Sequence, residues 1–143
     1  MVILSIDLGD SRTGVAVCDK TETLATPVCV LFEKYIPKII DKVKEIAAEK
    51  KAELIVVGYP LNMNGTKGDR AEKCENFAKS LEEVCEIKTV LWDERLSTVS
   101  ALNALDNTGT YGNNRKNVLD SVAAVIILQS YIDHRRLHNE AKV

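Results

Sequence analysis

The chain has 143 residues, a net charge of −2 at pH 7 and an apolar content of 45%. This length is typical of one domain, so we predict that residues 1–143 form a single domain with one real core. Aromatic residues make up only 5%. That scarcity and the slightly acidic charge argue against an aromatic platform for single strands and a generally basic nucleic-acid coat. Any binding to phosphates must come from local patches.

Four cysteines are present, and none belongs to a CxxC pair or a zinc pattern. The N-terminal segment MVILSIDLGD lacks the basic start and apolar stretch of a signal peptide. No apolar run approaches the ~20 residues that a membrane-spanning helix needs. We therefore predict a cytoplasmic protein with free thiols and no membrane contact.

The first third of the chain predicts an antiparallel meander of three strands. Residues 2–7 (VILSID) are almost wholly apolar, and a turn with Gly9 as its flexible point follows them. Residues 13–18 (TGVAVC) form the returning strand. Residues 25–32 extend the meander, and Pro27 favours a start near a sheet edge.

The apolar period then changes to helical spacing, from Ile36 to Ala47, with Pro37 in the first turn. A short continuous apolar run, residues 54–57 (LIVV), is typical of a strand buried on both faces of a parallel sheet. The remaining predicted elements are a helix over 71–84, a strand over 87–92, a short helix over 97–105 and a last helix over 118–133. A frayed polar tail is expected from about 134. The order predicts an α/β fold whose mixed sheet, a three-strand meander plus parallel strands, is flanked by helices.

Acidic residues stand where elements end or begin. Asp7 ends the first strand, Asp93 and Glu94 follow the last one, and Asp120 lies near the start of the last helix. Sites in open α/β sheets form outside the carboxyl ends of parallel strands. Taken singly, each residue could be a turn residue, a solvated strand end or a helix cap. Together they predict a site for Mg²⁺, or Mn²⁺ in its place, because clustered carboxylates need a hard cation between them.

Two such ions about 3.5–4 Å apart would activate water and stabilise a leaving oxygen during phosphodiester cleavage. Phosphate contacts could come from polar and basic residues near the same strand ends, although for any single one a solubility role is the better interpretation. The candidates are Arg12, Asn62, Asn64, Lys67, Arg70, Arg95 and Lys116.

Four blocks of sequence together carry a family resemblance. They are DLGDSRTGVAVCD (7–19), the segment from VVGYPLNMNGT to RAEKCENFA (56–78), DERLST (93–98) and RKNVLDSVAAVIILQSYID (115–133). In this order they resemble the YqgF or RuvX family, described as Holliday junction resolvases and as pre-16S rRNA nucleases.

The resemblance implies an RNase H-like fold related to the RuvC resolvases and a divalent-metal nuclease whose acidic triad is Asp7, Glu94 and Asp120. Alternation along a strand puts Asp93 and Glu94 on opposite faces, and we choose Glu94 as the ligand. The resemblance also implies that the Arg12 turn, the loop over 62–70 and Arg95 line the substrate cleft. Ser121 stands where family members often carry lysine, so one phosphate contact is in doubt.

The expected substrate is a structured nucleic acid, with 5′-end maturation of precursor 16S rRNA placed first. Resolution of a four-way DNA junction stays open, and it would favour a homodimer over a monomer. A non-catalytic module that binds RNA or a ribosome-associated partner is a third possibility. The DLG start also resembles the phosphate loop of actin-like ATP-binding phosphotransferases, but those need two such domains.

Overall fold

The computed structural model describes residues 1–97 and 113–141, and the side chains of the last helix over 122–138. It contains five strands, β1 (Ile3–Leu8), β2 (Thr13–Cys18), β3 (Ala25–Leu31), β4 (Leu54–Tyr59) and β5 (Lys88–Asp93). The helices are α1 (Ile36–Lys50), α2 (Asp69–Cys85) and α3 (Asn113–Ala141), with a short 3-10 helix at Glu94–Leu96.

The strands form one sheet in the order β3-β2-β1-β4-β5. Strand β2 pairs antiparallel with both β1 and β3, whereas β4 pairs parallel with both β1 and β5. The mixed sheet predicted from the sequence is therefore confirmed. Because β1, β4 and β5 run in the same direction, their carboxyl ends lie side by side at one edge of the sheet, with β4 in the middle.

Two apolar layers cover the two faces of the sheet. Helices α1 and α2 pack on one face, where the core includes Ile6, Val57 and Phe77. Helix α3 packs on the other face, where the core includes Val56 and Ile127. Strands β1 and β4 contribute to both layers, and this explains why LIVV of β4 is a continuous apolar run and why β1 is apolar on both faces apart from Ser5 and Asp7.

Helix α3 is longer than the sequence predicted, since it continues to Ala141 instead of ending near 133. We expected a frayed tail from about 134, but contacts distant in sequence hold this end of the helix. Arg135 Nε donates to Glu22 Oε1 at 2.8 Å, and Arg136 donates to the carbonyl of Glu22. The predicted short helix over 97–105 lies outside the described residues beyond Ser97.

No helix in the described part of the chain is long and apolar enough to cross a membrane. The four cysteines are free, with Cys18 and Cys74 buried and Cys29 and Cys85 half-buried. Unpaired thiols are what the sequence predicted.

Candidate active site

The carboxylate of Glu94 lies against the backbone of the middle strand. Glu94 opens the 3-10 helix directly after β5 and is 8% exposed. A Cβ built on Gly58 of β4 would lie 2.8 Å from Glu94 Oε1 and 2.7 Å from Ile127 Cδ1. Only glycine leaves this space open, so Gly58 lets the Glu94 side chain lie over β4 on the face that α3 covers.

The electrostatics of Glu94 are those of a carboxylate removed from water. Burial raises the pKa of Glu94, the Arg70 guanidinium opposes that rise, and the neighbouring Asp93 charge adds to it. Within the described residues, the Glu94 carboxylate has no hydrogen bond or ion pair. A buried carboxylate without a partner is costly in free energy, and a bound cation is one way to offset that cost.

Asp7 lies on the same face of the sheet. Side chains alternate along a strand, so Asp7 projects to the same side as Ser5, and Ser5 Oγ donates to the carbonyl of Ala124 in α3 at 2.7 Å. Ile6 pairs with Val57, and the next residue on each strand is Asp7 on β1 and Gly58 on β4. Asp7 is therefore beside the glycine over which Glu94 lies.

The charges of both carboxylates act on one buried thiol. The pKa of Cys74 in α2 is raised to about 12, mainly by burial and in smaller part by the charges of Glu94 and Asp7, which Arg70 opposes. All three charged groups thus act on one thiol. The structure brings Asp7, Glu94 and Arg70 together at the carboxyl edge of the sheet.

The third predicted ligand lies outside the described side chains. Asp120 and Lys116 belong to the first turns of α3, whose side chains lie outside the described residues. Among the side chains that are described, no three or more His, Cys, Asp or Glu lie close enough together to bind a metal ion. The acidic triad therefore remains a prediction.

Asp93 and Glu94 differ sharply in their surroundings. Asp93 ends β5 opposite Tyr59, whose ring packs against the core under α1 and α2. Its carboxylate accepts hydrogen bonds from Arg95, which keep the pKa of Asp93 below its usual range despite partial burial. Asp93 already has an ion-pair partner in Arg95, whereas among the described residues Glu94 forms no ion pair and Arg70 acts on it only through its charge.

Most predicted phosphate contacts have partners within the protein. Asn62 Nδ2 donates to Thr66 Oγ1 at 2.9 Å, and Asn64 Oδ1 accepts from Thr66 Oγ1 at 2.6 Å. Lys67 Nζ lies 2.9 Å from Glu75 Oε1. These residues order the loop between β4 and α2, residues 60–68, which we call the polar loop. None of these bonds prevents the remaining donors from contacting a substrate.

Arg70 and Arg12 lie outside the polar loop. Arg70 is exposed on the first turn of α2 and acts electrostatically on Glu94. Arg12 ends the turn between β1 and β2, where a Cβ on Gly9 would lie 2.2 Å from the Arg12 carbonyl oxygen. This tight turn requires glycine at position 9 and brings the chain back into β2 directly beside Asp7.

The chain is similar to known proteins in both sequence and fold. A family model described as "RuvX: Holliday junction resolvase" matches residues 1–134. The chain belongs to the RuvX family.

Curated relatives cover nearly the whole chain. A protein of Ruminiclostridium cellulolyticum named "Putative pre-16S rRNA nuclease" is 41% identical over 93% of this chain and 94% of its own length. A protein of the same name from Geobacillus sp. strain WCH70 is 41% identical over 95% of this chain and 100% of its own length. These values confirm the RuvX resemblance seen in the sequence motifs.

The fold is shared with a solved resolvase. Thermus thermophilus RuvC, in complex with a Holliday junction substrate, superposes with a TM-score of 0.60 at 12% identity, over 96% of each chain. At this identity the likeness concerns the fold alone. The predicted RNase H-like α/β fold is confirmed.

Sequence reasoning missed two features of the candidate site. One is Gly58, which a glycine at the end of the strand LIVVGY could have indicated, since glycine in a strand often marks a close approach. The other is Asp93, considered only as a rival ligand to Glu94. Its partnership with Arg95 depends on side-chain geometry that motif spacing does not contain.

Proposed function

We propose that the chain is a nuclease that requires Mg²⁺ or Mn²⁺ and hydrolyses phosphodiester bonds at the carboxyl edge of its sheet, with precursor 16S rRNA as substrate. The observation that carries this proposal is the buried Glu94 carboxylate over Gly58, next to Asp7 and without an ion pair among the described residues. Oxygen ligands of this kind fit a hard divalent cation.

The residues of the chain would divide the work as follows. Asp7, Glu94 and Asp120 would hold the metal, which when bound supplies activation of a water and stabilisation of the leaving oxygen. Burial of Glu94 keeps bulk water away from one side of the site. The exposed Arg70 guanidinium is available to bind a phosphate oxygen with its planar fork and to orient the scissile bond.

The substrate assignment draws support from the relatives, whose printed name refers to precursor 16S rRNA. A four-way DNA junction is the second candidate, because the family description names it and the RuvC structure contains it. A symmetric junction favours a homodimer that presents two sites, whereas rRNA processing requires only a monomer. The oligomeric state in solution therefore bears on this choice.

A binding module without catalysis is disfavoured by the charges at the site. Two carboxylates beside a phosphate backbone repel it, so a pure binder of polyanions gains nothing from them. We expect the reaction to occur in the cytoplasm, where the four unpaired cysteines would stay reduced.

The test compares Asp7→Asn with the wild type on precursor 16S rRNA and on a four-way DNA junction, each with and without Mg²⁺ or Mn²⁺. We expect cleavage by the wild type only with metal and a loss of at least about a hundredfold in the variant. Asp10→Asn is the matched control, because Asp10 is 89% exposed in the adjacent turn and only approaches Lys73 at 3.7 Å.

Cleavage by Asp7→Asn at the wild-type rate would exclude a role for this carboxylate in the reaction. Cleavage of the junction alone would assign the second substrate. Tight binding of RNA with no cleavage under any metal condition would favour the binding module.

A further inference from the structure

Arg95 contacts two separate parts of the protein. Its Nε lies 3.1 Å from Asp93 Oδ1 and 3.0 Å from Asp93 Oδ2, and its Nη2 lies 2.7 Å from Oδ2. Its Nη1 donates to the carbonyl of Met63 at 3.3 Å. A Cβ on Gly65 would lie 3.4 Å from the same Nη1. The guanidinium therefore joins the end of β5 to the polar loop.

Asp93 also fixes the backbone on which Glu94 is mounted. Its Oδ1 accepts from the Arg95 backbone N–H at 2.9 Å and so caps the 3-10 helix. On the other side, Ser97 donates from both its backbone N–H and its Oγ to the carbonyl of Glu94. Leu96 is held as well, since its carbonyl accepts from Ser130 Oγ of α3. Each residue of the turn that carries Glu94 is tied to a neighbour.

We propose that Asp93 and Arg95 act as a positioning pair that fixes the Glu94 carboxylate over Gly58 and docks the polar loop beside it. Arg95 then serves the reaction through its contacts with Asp93 and Met63 rather than by neutralising a phosphate. This inference rests on the proposed function of Glu94 as a metal ligand. It assigns the two neighbours of Glu94 a purely intramolecular role.

The contacts between Arg95 and the polar loop are consistent with a positioning role for Arg95. The polar loop turns at Gly65, whose φ of +85° lies in the left-handed region that favours glycine. Its side chains are mostly exposed, with Met63 at 84%, so apolar burial contributes little to its order. Ordering such a loop costs conformational entropy, and a fixed guanidinium at its apex offsets part of that cost.

Three variants separate positioning from phosphate binding. Asp93→Asn removes the charge of the partner, Arg95→Met removes the guanidinium, and Arg95→Lys keeps the positive charge but lacks the planar fork that bridges Asp93 and Met63. Glu22→Gln is the matched control, because the Glu22–Arg135 pair has a similar length of 2.8 Å and similar exposure but lies at the end of the sheet opposite the site.

The first measurement needs no catalytic activity. Amide hydrogen exchange of Gly65 and Asn62, whose N–H groups bond within the loop, reports loop opening. We expect exchange about five- to tenfold faster in all three variants and unchanged in Glu22→Gln. Unchanged exchange in Asp93→Asn and Arg95→Met would overturn the docking of the loop, whatever the protein cleaves.

The second measurement is the salt dependence of binding to a four-way DNA junction and to precursor 16S rRNA. Loss of one phosphate contact lowers the slope of log K against log salt by about 1. We expect Arg95→Met to leave the slope unchanged. A fall by one unit in Arg95→Met that Arg95→Lys restores would show that Arg95 is a phosphate ligand and would overturn the proposal.

The third measurement is cleavage of whichever substrate the wild type cuts. We expect kcat to fall about 10- to 100-fold in all three variants with KM nearly constant, as for residues that orient metal ligands. A rise in KM at constant kcat would contradict positioning. If no substrate is cut even by the wild type, the proposed nuclease function fails, while exchange and salt dependence still decide the role of Arg95.

Discussion

Two carboxylate–arginine pairs of nearly the same length and exposure lie at opposite ends of β1 and its parallel neighbours. The Asp93–Arg95 pair is 2.7 Å long with side chains 20% and 32% exposed, and the Glu22–Arg135 pair is 2.8 Å long with side chains 21% and 30% exposed. They differ in sequence separation, which is two residues in the first pair and 113 in the second.

This difference suggests that two ion pairs of similar length and exposure have different roles in the protein. The first pair shapes a local turn next to Glu94 and constrains few residues, so its loss should change the site more than the fold. The second pair joins the β2–β3 turn to the last helix, so its loss should change the stability of the fold and leave the site intact. The comparison predicts opposite profiles of activity and stability at the two ends of the sheet.

The largest expected effect on cleavage comes from Glu94→Gln, which removes the buried negative charge at the carboxyl edge of the sheet. We expect cleavage to fall at least about a hundredfold, because a neutral amide is a poor ligand for a hard cation. Stability should rise at the same time. Since burial raises the pKa of Glu94, the folded state holds its proton more tightly than the unfolded state, and charging Glu94 costs stability as pH rises above its ordinary value.

Thermal unfolding of Glu94→Gln and wild type, measured with EDTA present, checks this expectation. The variant should be more stable by about 1 kcal/mol at pH 7, and the difference should shrink in acid below the ordinary pKa of about 4.3. A less stable variant at pH 7 would mean that the Glu94 carboxylate stabilises the fold. The proposed contrast between a catalytic edge and a stabilising edge of the sheet would then be wrong.

Gly58→Ala tests the space that Glu94 occupies. The new Cβ would lie within 3.0 Å of both Glu94 Oε1 and Ile127 Cδ1, so one of these side chains must move. We expect a destabilisation of about 1–3 kcal/mol from overpacking. Cleavage should fall about 10- to 100-fold, as when the support of a metal ligand is disturbed.

The control for Gly58→Ala is Gly68→Ala, where the nearest atom to a new Cβ is Asn62 Oδ1 at 3.8 Å, an ordinary contact. Steady-state kinetics and chemical denaturation of both variants provide the measurements. If Gly58→Ala retains full cleavage, the Glu94 carboxylate does not need its position over β4, and its role as a ligand would be contradicted.

Much of the fold could be predicted because it follows from the spacing of apolar residues within short segments of the sequence. The almost wholly apolar sequence of β1 and the apolar run of β4 indicate burial on both faces, and the helical spacing from Ile36 to Ala47 gives α1 with Pro37 in its first turn. The RuvX family and the RNase H-like fold followed from four motif blocks and are confirmed. The site residues, in contrast, remain proposals.

What could not be predicted depends on contacts between distant residues or on side-chain partners. The extension of α3 past residue 134 rests on Glu22, which lies more than a hundred residues earlier. The basic and amide side chains of the polar loop were assigned to phosphate from residue type alone. Residue type does not reveal that Lys67 is paired with Glu75 or that Arg95 is paired with Asp93.

The smallest expected effect on cleavage comes from Glu22→Gln, which weakens the Glu22–Arg135 ion pair at the opposite end of the sheet. Burial alone would raise the pKa of Glu22, but hydrogen bonds from Arg135 and the N-terminal ammonium outweigh it and lower the pKa. The carboxylate therefore stabilises the fold above its ordinary pKa of about 4.3, and this contribution is lost as pH falls through the lowered value. We expect a loss of about 1 kcal/mol at pH 7.

Thermal unfolding between pH 3 and pH 7 measures this effect, with Glu45→Gln on the exposed face of α1 as control. The midpoint of Glu22→Gln should lie about 3 °C below wild type at pH 7 and approach it in acid, while cleavage stays at the wild-type rate. Ile127 of α3 lies next to Gly58, and Arg135 and Arg136 of the same helix contact Glu22, so the result also tests whether these two parts of α3 are independent. A fall in cleavage with Glu22→Gln at a temperature where the variant is fully folded would show that they are coupled through the helix, and the contrast between the two ion pairs would then fail.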